Sequence, residues 1–223
     1  MSLRLRPLLC AVLVLAAGHG QARAVPPAAV HAVVRLPSHG ASATVIETRE
    51  GATWLLGCAH AFEGNDRSRP IRLDVPVPSA GQPKQAAIRL LAVDYRHDLS
   101  LILLEDGPLP YVAPVAPAGH VPGGNVLSIG YDEMRWPAQQ APATLLGNTG
   151  ATTYTRERPV PGRSGGALLD ADRGWLIGVV QGYETAGPRR GMYVSHAAIL
   201  RFLQGQRAPP GRENIPRLNL CPT

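Results

Sequence analysis

Between Ala32 and Val194, apolar residues recur in short runs bounded by turn formers, and none of these runs reaches ten residues. In the first half they fall at 32–36, 43–48, 53–58, 71–75, 86–93 and 99–105. After a gap they resume at 125–131, 143–146, 152–155, 166–169, 175–180 and 192–194. β-Branched pairs such as Val45-Ile46 and Val179-Val180 favour strands over helices in runs of this length. Strands spaced like this along a whole chain predict an all-β sandwich or barrel protein. The gap, 106–124, is rich in proline and glycine and reads as a linker or long crossover between two halves of about six strands each. The one helix predicted is Ser195–Gly205, with Ser195 as N-cap, Ile199, Leu200, Phe202 and Leu203 as its apolar face and Gly205 as its stop. Residues 207–223 carry four prolines and predict an extended tail.

The N-terminus follows a different pattern. Arg4 and Arg6 precede an apolar stretch from Leu8 to Ala17, and Ala22-Arg23-Ala24 offers a small-residue exit. That order is the signature of a secretory signal peptide over 1–24, and ten apolar residues are too few to span a bilayer, which needs about 20. The expected organisation is a signal peptide (1–24), an N-terminal half (25–106), a linker (107–124), a C-terminal half with the helix (125–206) and the tail (207–223). The expected location is secreted or periplasmic, with no membrane association once the leader is removed.

Composition then narrows the function. The chain is 45% hydrophobic and 17% charged, which excludes a disordered chain. Removing the leader takes three arginines and lowers the net charge from +6 to +3, with the remaining arginines scattered. No continuous basic stripe or nucleic-acid module is present, so no nucleic-acid partner is expected. Cys58 and Cys221 remain after cleavage. An oxidising compartment would permit a bridge between them, while the apolar setting of Cys58 fits a buried free thiol equally well. No His, Cys and carboxylate cluster has ligand spacing, so neither metal nor organic cofactor is expected.

Three segments carry residues able to do chemistry. His60 ends the apolar run Leu55–Cys58, Asp98 opens the run from Leu99, and Ser164 sits among glycines in Gly162-Arg163-Ser164-Gly165-Gly166. A serine hydroxyl is a weak nucleophile until an imidazole takes its proton, and a carboxylate must hold that imidazole in the right tautomer. The oxyanion that forms needs backbone N–H donors, which glycines can turn inward, and Gly162 and Ser164 are the expected pair. Asp94 is the alternative orienting acid, and His97 and His196 are expected to serve the surface.

The constellation resembles the chymotrypsin-like (trypsin-like) serine peptidases, in particular their bacterial exported HtrA/Deg and glutamyl-endopeptidase branches. The resemblance rests on Cys58-Ala59-His60, Asp98-Leu99-Ser100-Leu101-Ile102, Gly162-Arg163-Ser164-Gly165-Gly166 and Leu176-Ile177-Gly178-Val179-Val180, and it covers roughly 30–204. It implies two six-stranded antiparallel β-barrels with a C-terminal helix and an active site in the cleft between the barrels. It implies a serine endopeptidase acting on protein or peptide substrates, with His60 as base, Asp98 as its orienting group and Ser164 as nucleophile. Val180, Gln181 and Gly182 would line the substrate strand, and Arg158 would lie near the floor of the primary pocket. Arg163 stands where digestive members of the family carry an acid that receives a new N-terminus, so activation by that route is not expected. Two rival readings remain: a catalytically silent binding module on the same fold, and an α/β-hydrolase esterase using Gly162-x-Ser164-x-Gly166 as a nucleophile elbow. Oligomeric state is not legible. Activity is expected to fall below pH ~6.5, where an ordinary imidazole protonates.

Overall fold

The computed structural model describes residues 27–49, 51–64, 71–75, 83–104 and 107–206. The expected signal peptide, the expected tail and Cys221 lie outside them.

Six antiparallel strands close the first barrel: β1 (Val33–Leu36), β2 (Ala41–Arg49), β3 (Ala52–Gly57), β4 (Ile71–Val75), β5 (Lys84–Asp94) and β6 (Leu99–Leu104). Their order is β1-β2-β3-β6-β5-β4, and Arg35 opposite Asp74 closes the ring between β1 and β4. Central β3 and β6 are buried at every position, which explains why they read as nearly continuous apolar runs. At about 25 cal/mol per Å² of apolar surface, each fully buried leucine of this barrel contributes roughly 2 kcal/mol.

The second unit contains β7 (Val126–Gly130), β8 (Gln139–Pro142), β9 (Leu145–Thr149), β10 (Thr152–Thr155), β11 (Ala167–Asp170), β12 (Trp175–Tyr183) and β13 (Gly191–Ser195). They form a curled sheet in the order β8-β7-β11-β12-β13-β10-β9. Seven strands stand here rather than six. The additional one, β8, reads Gln-Gln-Ala-Pro and has no buried residue, so it lacks the apolar signal of the others. Pro142 is tolerated there because β8 is an edge.

Among the described residues, two α-helices flank the strands. The short α1 (Pro27–His31) precedes β1 and has no sequence signal of its own. The other, α2 (His196–Gly205), starts where expected, with the Ser195 side chain accepting from the Ala198 N–H at 3.4 Å. The segment between the two units is fastened to both. Ala113 N–H donates to Val45 of β2, and Leu176 of β12 exchanges hydrogen bonds with Pro114 and Ala116. One core cluster runs from the first barrel through Tyr131 to Leu169, Val179, Ile199 and Leu203, so the two units share a hydrophobic interior.

This architecture removes the esterase reading. An elbow serine sits between a buried parallel strand and a helix, whereas Ser164 lies in a turn between antiparallel strands β10 and β11.

Candidate active site

The register of β3 against β6 decides where the first two residues meet. Gly57 faces Ser100, so the chain leaving β3 and the chain entering β6 emerge at the same end of the barrel. The Ser100 hydroxyl fastens that end by donating to the Cys58 carbonyl at 3.2 Å. Beyond Cys58 the backbone curls into a 3-10 turn, His60–Phe62. Opposite it, the 95–98 turn delivers Asp98 at φ 56°, a left-handed conformation that few non-glycine residues adopt. The result is a carboxylate gripping one histidine at two places. Asp98 Oδ1 accepts the His60 backbone N–H at 2.9 Å, while His60 Nδ1 lies 2.8 Å from Oδ2 and 3.0 Å from Oδ1. The imidazole is 45% exposed. The Asp98 hydrogen bond, helped by the neighbouring Cys58 side chain and opposed by burial, raises the His60 pKa to about 10.

Ser164 approaches the same end from the second unit. The Ser42 N–H of β2 donates to the Ser164 carbonyl at 2.8 Å, and the Gly165 backbone abuts Cys58, two residues before His60. Gly165 has φ 81°, and a side chain there would run into the Ser42 carbonyl, so this close approach requires glycine. The Ser164 hydroxyl donates to the Gln181 carbonyl at 3.3 Å.

The backbone on the N-terminal side of the serine is tightly specified. The Pro161 carbonyl accepts from Glu133 N–H at 2.7 Å, the Gly162 carbonyl from the Ser42 hydroxyl at 2.9 Å, and the Arg163 carbonyl from Gly166 N–H at 2.7 Å. In a planar trans peptide the N–H points opposite the C=O, so these bonds turn the Gly162 and Ser164 N–H groups the other way. Neither N–H donates to a protein acceptor among the described residues. Gly162 holds φ 95°, where a Cβ would collide with the Tyr131 carbonyl.

The other singled-out residues fall as follows. Asp94 is occupied by His97, whose Nδ1 lies 2.6 Å from it, so it does not orient His60. His196 is half-buried and bonded through Nε2 to the Ala116 carbonyl at 2.8 Å, a structural role rather than the expected surface one. Val180 is fully buried, and both of its backbone groups are used internally, by Gly165 and Gly166. Gln181 sits at a bulge of β12, its Oε1 accepting from the Thr152 hydroxyl at 3.5 Å, with Gly182 following in register with Met192. Arg158 is exposed, and its guanidinium lies 4.9 Å from the centre of the Tyr183 ring. Cys58 carries a free, buried thiol. Among the described residues, no group of His, Cys, Asp or Glu is arranged to hold a metal ion, and no helix is long and apolar enough to cross a membrane.

Sequence reasoning missed two contributors, Ser42 and Asp132. Ser42 is one serine within a strand and gives no signal. Asp132 could have been sought as the partner that a basic residue beside Ser164 demands. Its carboxylate binds Arg163 through Nε and, at 2.9 Å, through Nη2.

A closed β-barrel facing a curled β-sheet, with a carboxylate-held histidine on one and a glycine-flanked serine on the other, is the architecture of trypsin-like serine peptidases. The model of the trypsin-like peptidase domain matches residues 41–179, more than half of the sequence, and the chain belongs to that family. No curated protein sequence matches significantly. Solved structures agree on the fold. The HtrA-type protease AlgW, solved with a decapeptide, is 22% identical with a TM-score of 0.57, covering 74% of this chain and 51% of AlgW. The Rv3671c protease of M. tuberculosis H37Rv, in an inactive form, is 18% identical with a TM-score of 0.61, covering 83% of this chain and 98% of that one. The chain therefore spans about half the length of AlgW and nearly all of the Rv3671c chain.

Proposed function

We propose that this protein is an exported serine endopeptidase that cleaves peptide bonds through an acyl-enzyme. Ser164 attacks the carbonyl, His60 takes its proton and returns it to the leaving amine, and Asp98 holds the ring and stabilises the imidazolium. The Gly162 and Ser164 amides receive the oxyanion. The observation carrying this reading is the two-point grip of Asp98 on His60, at the spot where Gly165 brings the serine loop against Cys58. A binding module has no need of a left-handed aspartate bonded to both the backbone and the ring of one exposed histidine. Family membership and the peptide seen with AlgW support a peptide substrate.

Cleavage of a mixed peptide library by the purified protein tests the reading. Hydrolysis that falls by 10⁴ or more, on the order expected for loss of a triad base, in His60→Ala supports it. Equal activity in that variant refutes it. Export is tested separately by sequencing the N-terminus of secreted protein, which should begin after Ala24.

A further inference from the structure

We propose that Asp132 is a positioning residue for the oxyanion site, acting through Arg163, so that an internal ion pair of this chain holds the serine loop in its working shape. The proposal rests on the assignment of Ser164 as nucleophile.

Arg163 adjoins the nucleophile yet is only 3% exposed. Its guanidinium reaches across to the end of β7. Nε and Nη2 donate to the two Asp132 carboxylate oxygens, and Nη1 donates to the Ser128 carbonyl at 3.0 Å. Gly130 makes room for it, since a Cβ there would lie 2.8 Å from Arg163 Cγ. A buried cation is tolerated only when paired, and a fork-to-fork contact also fixes its direction. With the side chain pinned to β7, the Arg163 backbone, and with it the peptides on either side, has one orientation.

The carboxylate's own turn does the rest. Asp132 opens the 3-10 turn 132–134, in which Glu133 and Met134 both hold positive φ, 50° and 61°. That conformation is unfavourable for such residues unless the surroundings enforce it. It presents the Glu133 N–H to the Pro161 carbonyl, the bond that turns the Gly162 N–H away from the loop interior. The first barrel braces the turn from outside. Arg35 donates through Nη1 to the Met134 carbonyl at 2.6 Å and is itself paired with Asp74 at 2.5 Å. Two charge pairs, joined by the Arg35 to Met134 carbonyl hydrogen bond, therefore run from β4 and β1, through the 132–134 turn, to the residue before Ser164. The ion pair lies wholly within the described chain and involves no chain terminus.

The test compares Asp132→Ala and the gentler Asp132→Asn with wild type, using a substrate selected from the peptide library. The expected result is a kcat loss of about 10²–10³, the cost of one oxyanion donor, with KM changed less than about threefold. A peptide aldehyde, which binds as an oxyanion, should lose affinity in the same proportion, while the reduced-amide peptide of equal sequence binds as before. Leu103→Ala, a core change in the other barrel, controls for stability and should keep both affinities. A kcat within about twofold of wild type in both Asp132 variants overturns the proposal, as does equal loss of aldehyde and reduced-amide binding. Amide hydrogen exchange over 160–166 needs no activity and separates this failure from failure of the peptidase assignment. Faster exchange confined to that loop in Asp132→Ala keeps the ion pair's role even if wild type cleaves nothing, and unchanged exchange removes it.

Discussion

The two halves of the candidate site are built on different principles. On the first barrel, one carboxylate on a short turn holds one histidine, by its backbone N–H and by its ring. On the second unit, the serine loop is held at nearly every peptide, by Glu133, Ser42 and Gly166, and by an ion pair between buried Arg163 and partly exposed Asp132. The contrast fits the roles proposed for each side. A base needs one ring orientation and room to accept a proton, so it can stay half exposed. An oxyanion site needs several backbone dipoles fixed before the charge appears, because a loop that reorganises during the reaction returns the advantage.

Substitutions break this comparison in order of size. Ser164→Ala and His60→Ala should each remove on the order of 10⁶ in kcat, since nucleophile and base act as one unit. Asp98→Asn should cost about 10⁴ while leaving the ring near its place, because the amide favours the wrong tautomer. Gly162→Ala should cost about 10²–10³ in kcat, because the φ of 95° and the Tyr131 carbonyl force the loop to move. These four are read from steady-state kinetics on one peptide. Leu103→Ala should lower stability by about 2–5 kcal/mol in chemical denaturation. Ser195→Ala removes the cap of α2 and should cost about 1 kcal/mol.

The pH response sharpens the same comparison. In the proposed mechanism His60 must be neutral to take a proton, and the Asp98 hydrogen bond raises its pKa to about 10. The acid limb of kcat/KM therefore lies above the pH ~6.5 expected from an ordinary imidazole, with the rate rising about tenfold per pH unit below that pKa. Asp98→Asn should move the limb downward. The stability effect has the opposite sense. The folded state holds the protonated ring more strongly, so the pair stabilises fully below pH ~6.5 and its contribution fades as pH climbs toward the folded value.

The strands were legible because most of them bury apolar side chains in runs too short for helices, as at Leu55-Leu56 and Leu101–Leu104. β8 was not, since an exposed edge strand of Gln139 and Gln140 needs no apolar face. His60 and Asp98 were legible because each abuts a buried strand, and antiparallel register then carries them to one end. What could not be read is pairing at long range between residues with no pattern. Ser42 meets Gly162 across 120 positions, and Asp132 meets Arg163 across 31, and only the fold brings them together.

The central claim is that Ser164 becomes a nucleophile through His60. Treating the protein with a fluorophosphonate and mapping the adduct by peptide mass tests it most directly. A single adduct on Ser164 is expected in wild type and none in His60→Ala. An unlabelled wild-type protein, or an adduct on another residue, would contradict it.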